Sequence, residues 1–156
     1  MTITSDTMTT LASGVAVLTA LRALAKRPAQ SISEALDVAD GQAMLLQDML
    51  PGPASELPAQ LATLIPSIVI EYVRDLPVPG TSFWATGRWH IHVRATDPTA
   101  THAFTLLHQL KHIIDHPVRR QISELSSDDW EALANSFAAR MLVSELSAVT
   151  IPRGKQ

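Results

Sequence analysis

Three histidines, His108, His112 and His116, recur every fourth residue within the stretch 102–116. Set on a helix at 100° per residue, they fall within an arc of about 80°, and Leu106, Leu107, Leu110, Ile113 and Ile114 take the opposite side. Such a helix can bury its aliphatic side while its imidazoles look out together. Two imidazoles four residues apart on one face can reach a single metal ion. A solvated helix face can show the same spacing, so spacing alone does not select a metal site. His90, His92 and His102 carry less, since each reads as a strand-surface or loop histidine. Glu131, by itself, reads as a carboxylate in the first turn of a later helix, where the helix dipole favours it.

The elements that must position these residues follow from breakers and periodicity. Residues 1–8 are Thr-rich and read as frayed. A first helix is expected from about Thr9 to Lys26, stopped by Arg27-Pro28, because proline disfavours helix in the residue before it. A second, about Ser33 to Leu50, is capped by Ser31 or Ser33 and ended by Pro51-Gly52-Pro53. A short helix at 56–65 precedes Ser67–Val73, which is β-branched and reads as a buried strand. Segments Ser82–Thr86 and Trp89–Arg94 flank a turn at Gly87 and suggest a hairpin. Asp97-Pro98-Thr99 launches the histidine helix to about Asp115, with Pro117 ending it. A last helix starts at Ser126-Ser127-Asp128-Asp129 and is expected to reach about Val143. The fold class is α+β: helices, a small sheet, then two helices. The organisation expected is a helical extension over 1–53, a domain over 54–146 and a tail over 147–156.

With 156 residues, one domain can bury roughly 70% of the surface its unfolded chain exposes. The net charge of −3 gives no general attraction to nucleic acid or to an anionic membrane. Residues 31–50 contain Glu34, Asp37, Asp40 and Asp48 but no Lys or Arg, the wrong chemistry for a DNA-recognition helix. The absence of cysteine excludes disulfides and thiolate metal sites and fits a cytoplasmic location. Leu11–Ala25 is too short to span a membrane, is interrupted by Thr19 and Arg22, and lacks the basic segment of a signal peptide.

Phe104-Thr105-Leu106-Leu107-His108-Gln109-Leu110-Lys111-His112 resembles the active-site helix of the ImmA/IrrE family of metallopeptidases, which reads F-T-x-x-H-E-x-G-H. Glu131-Ala132-Leu133-Ala134-Asn135-Ser136-Phe137-Ala138-Ala139 matches that family's second motif, E-x-x-A-N-x-F-A-A. The resemblance covers roughly residues 57–143, and the pairing of two motifs makes it more specific than either alone. It implies a zincin-like domain with His108, His112 and Glu131 as zinc ligands, and His116, Asn135 and Lys111 as candidate neighbours of the metal. A wheel of the second motif places Glu131, Ala134, Asn135 and Ala138 on one face, where the alanines allow close helix approach.

The departures fall at the core of the motif. Gln109 stands where the family carries its general base, and an amide cannot take a proton from water as a carboxylate does. Lys111 stands where the family prefers a small residue, and Ser144 where its helix usually ends in proline. The resemblance therefore implies a zinc-binding regulator with weak or absent hydrolysis. Its implied partner is a helix–turn–helix repressor-like protein, since relatives, often encoded on phages or mobile elements, act on such repressors. A metal-free interaction module and an active zinc endopeptidase using another base are the alternatives.

Overall fold

In a computed structural model the backbone is described for residues 16–150 and the side chains for residues 16–143. The expected helix start at Thr9, the frayed residues 1–8 and residues 151–156 of the tail lie outside the described residues. The first helix, α1 (residues 16–22), ends four residues before the expected stop at Lys26. Its last turn tightens into bonds from Leu24 N to Leu21 O and Ala25 N to Arg22 O, as helix ends often do. Helix α2 (Ile32–Met49) begins at Ser31, whose Oγ accepts from Glu34 N while Glu34 Oε2 accepts from Gln30 N. It stops at extended Leu50, one residue before Pro51. A 3₁₀ turn at Ala54–Glu56 leads into α3 (Leu57–Leu64), with Pro58 in its first turn, where a missing N–H costs nothing.

Three strands follow: β1 (Ile68–Val73), β2 (Gly80–Ala85) and β3 (Arg88–Arg94). Their order is β1-β3-β2, so β3 is central, parallel to β1 and antiparallel to β2. The hairpin turn is Thr86-Gly87 with φ of 53° and 76°, the pair of left-handed residues that a type I′ turn demands. Thr86 thus belongs to the turn rather than to the strand expected over Ser82–Thr86, and β2 begins two residues earlier.

Helix α4 (Thr99–Arg119) does not stop at Pro117 as expected but carries it inside. Proline removes the N–H that would bond Ile113 O. That carbonyl accepts instead from Arg22 Nη2 at 2.8 Å, and Ile114 O accepts from Arg22 Nε at 3.1 Å. A side chain from α1 therefore repairs the break. Helix α5 (Ser127–Thr150) runs past the expected end near Val143. Ser126 Oγ accepts from Asp129 N, and Asp129 Oδ2 accepts from Ser126 N, a reciprocal cap.

The element order is α+β, as the breaker pattern implied. Ile68, Ile91 and Val93 of the sheet pack against Leu106, Leu110 and Ile113 of α4, and Phe137 and Ala138 of α5 close the same core. Leu18, Leu21, Ala43 and Leu46 of α1 and α2 also belong to it. A smaller apolar cluster joins Ala35 and Ala39 to Ile122, Leu125, Trp130 and Leu133.

Candidate metal centre

Burial of the aliphatic side of α4 leaves His108 and His112 facing α5, one turn apart. Ala134 and Ala138, both fully buried, let α5 come close and bring Glu131 opposite them. His108 Nε2 lies 3.0 Å from Glu131 Oε2, His112 Nε2 lies 2.9 Å from Glu131 Oε1, and the two Nε2 atoms are 3.1 Å apart. Ligands bound to zinc at 2.0–2.1 Å in a tetrahedron are about 3.3 Å from one another. The three side chains already form nearly such a triangle, and they are the group of His and acidic residues among the described residues that could hold a metal ion.

The donor set fits a divalent ion for a second reason. His108 Nδ1 lies 2.8 Å from Asn135 Oδ1. An amide oxygen only accepts, so Nδ1 carries the proton and Nε2 keeps its lone pair pointing at the cluster. Outer partners of this type orient metal-ligating imidazoles. Burial, the largest influence on His112, holds its pKa below the usual histidine value; Glu131 pulls the other way, while His108 and Arg119 add to the lowering. The His112 imidazole is thereby kept neutral, the form that binds a metal.

The remaining candidates are placed differently. Gln109 lines the same cleft as the two histidines. His116 is exposed at the far end of the cleft, its ring edge-on to Trp89 at 4.9 Å. Lys111, named above as a candidate neighbour of the metal, is buried on the flank of α4 that faces α2, where Nζ donates to Asp115 Oδ1 at 2.6 Å and to Gln42 Oε1 at 2.7 Å. His90, His92 and His102 stay apart from the cluster, bonded to Ala85 O, paired with Glu71 and bonded to Arg94 O respectively.

The cleft has a volume of about 730 Å³, the size of a typical ligand pocket. One wall is the histidine face of α4; the other is β2 with Val78 and Pro79. Gly80 allows this closeness, because a Cβ there would overlap Thr105 Cγ2 and stand 3.3 Å from Gln109 Cγ. Strand β2 is the sheet edge that lines the cleft with His108, His112 and Glu131. Arg94 N donates to Pro79 O, so by alternation Thr81, Phe83 and Ala85 bond to β3, and the backbone N–H and C=O groups of Gly80, Ser82 and Trp84 point outward. The sequence offered no signal for Gly80, Arg119 or this free edge; only the bounding strands were legible.

The family model for Peptidase M78, described as the IrrE N-terminal-like domain, matches residues 68–146. That span contains both histidines, Gln109, Glu131 and all three strands. No curated protein and no solved structure gives a significant match.

Proposed function

The chain belongs to the IrrE N-terminal-like family of M78 peptidases, and from that premise we propose that it binds one zinc ion through His108, His112 and Glu131 and captures peptide segments with little or no hydrolysis. The convergence of two Nε2 atoms and a carboxylate to within 2.9–3.1 Å carries this reading. His108 Nε2 and the Glu131 carboxylate both turn lone pairs to that point, so a proton or a cation must lie between them, and the spacing suits zinc. The notable substitution is Gln109, since the positions of the three candidate ligands are retained.

When bound, zinc supplies Lewis acidity towards a carbonyl or a water molecule. The chain's own residues do the rest. Asn135 fixes the His108 tautomer, burial keeps His112 neutral, and the outward edge of β2 can pair with an extended peptide as an added strand. Gln109 sits where a proton acceptor would be needed. Its amide hydrogen-bonds but accepts no proton, which forfeits about 10²–10⁴-fold in rate. A protein that holds but does not cut suits regulation, with a helix–turn–helix repressor-like protein as the partner proposed.

Metal analysis of the full chain made without a histidine tag should give close to one zinc per chain, and His112→Ala should abolish it. Negligible zinc after supplementation would favour the metal-free interaction module instead. Gln109→Glu should raise chelator-sensitive cleavage of a fluorogenic peptide library by about 10²-fold or more. Strong zinc-dependent cleavage by the wild type, unchanged in Gln109→Ala, would show that another residue supplies the base.

A further inference from the structure

The charges of the cleft are unevenly spent. Among the residues that line it, Glu131 is the sole carboxylate and Arg119 the sole Lys or Arg. Glu131 is committed to the two histidines. Arg119 is exposed, and its guanidinium lies 6.0 Å over the Trp130 ring, a placement that holds an arginine without neutralising it. Among the described residues no carboxylate forms an ion pair with it.

Its position along the cleft can be measured in residues of a bound strand. Gly80 lies against Thr105 and Gln109, whereas Trp84 meets Trp89, which meets His116. Strand β2 and helix α4 therefore run in the same direction along the cleft. Arg119 is nine residues beyond the midpoint of His108 and His112, about 13 Å along the helix axis. An extended peptide rises about 3.3–3.4 Å per residue, so that distance is about four residues. A strand adding to β2 in the slightly more stable antiparallel sense has its N-terminal side towards Trp84 and Arg119.

We infer that Arg119 is a specificity-determining residue: it selects an aspartate or glutamate lying about four residues N-terminal to the metal-bound position of an extended peptide. This rests on the zinc- and peptide-binding reading above and adds to it a charge requirement on the partner. An acidic residue there would pair with a cation that no other group in the cleft satisfies. Basic segments would be disfavoured at the same place.

Peptides ending in a C-terminal hydroxamate fix the register, because the hydroxamate chelates zinc. Otherwise uncharged hexapeptide hydroxamates with an N-terminal fluorophore, each carrying one Asp scanned along the chain and each matched by an Asn control, are titrated by fluorescence anisotropy against zinc-loaded full-length protein. In the wild type, Asp should outbind Asn by about fivefold at the third to fifth residue from the hydroxamate and nowhere else, the effect of one partly exposed charge pair. In Arg119→Gln the Asp-to-Asn ratio should fall to about one, and in Arg119→Lys it should be largely kept. Peptide binding without an Asp advantage, or an Asp advantage that survives in Arg119→Gln, would overturn the assignment while leaving the metal site standing. Protein that takes up no zinc, or takes it up and binds no peptide, would sink the underlying reading and this inference together, and the zinc content of each sample tells the two apart.

Discussion

Position 109 shows how little a side chain must change to alter what a site can do. Glutamine keeps the length and planarity of glutamate and loses only the ability to accept a proton. Nothing at this scale need disturb His108, His112 or Glu131, whose mutual distances are set by helix packing. Position 111 shows what a sequence leaves out. Its angle on the wheel was readable, but its partners were not, because Gln42 lies 69 residues away. Burial, the dominant influence on both, pushes the Asp115 carboxyl up and the Lys111 ammonium down, each only partly countered by the other. For Asp115 the sign is plain. Its folded pKa exceeds the unfolded 3.8, so its titration favours the fold most below that value, and the benefit is lost as pH rises through the folded pKa. At neutral pH the pair is therefore a compensated cost. Asp115→Ala should destabilise by about 3–5 kcal/mol at pH 7 by stranding the ammonium, whereas Lys111→Met with Asp115→Leu should recover most of the loss. Urea denaturation of the three proteins decides the point.

Among the elements, α4 and β2 together make the cleft, and their legibility differed. The aliphatic arc of α4 was explicit in its spacing, and Leu106, Leu107, Leu110, Ile113 and Ile114 are all buried as that arc implied. The strands were recognisable by their β-branched and alternating residues, and the turn by Gly87. The parallel pairing of β1 with β3 was not legible, because no local pattern records which distant strand lies alongside. Nor was the role of Gly80, whose neighbours Thr105 and Gln109 come from another element. Gly80→Ala should push β2 off α4 and cost about 1–3 kcal/mol through overpacking. Adding Thr105→Ser, which removes the overlapping methyl, should return most of that stability. An unchanged urea midpoint in Gly80→Ala would show that the strand has room to spare.

For the whole molecule, the helices before residue 53 are more than an appendage. Leu18, Leu21, Ala43 and Leu46 share the core of the sheet and α4, Gln42 Nε2 donates to Leu21 O, and Arg140 pairs with Asp40 across α5 and α2. Composition foretold helices there and an acidic α2, yet periodicity could not say what they pack against. Arg22→Ala should cost about 1–3 kcal/mol by leaving the Ile113 carbonyl without a donor. A single unfolding transition should persist in the wild type, and circular dichroism and tryptophan fluorescence should trace it together.

The proline inside α4 divides that helix into two stretches with different dependence on the rest of the chain. Upstream of Pro117 the turns close on their own hydrogen bonds and carry His108 and His112. Downstream lie only Val118 and Arg119 of the helix, next to carbonyls that Arg22 helps to satisfy. Amide exchange should then separate the two, with the downstream turn opening in step with the release of α1 and the upstream turns only with global unfolding. The turns that hold His108 and His112 and the residues that hold Arg119 would then open at different free energies, so one end of the cleft could loosen while the other stays closed.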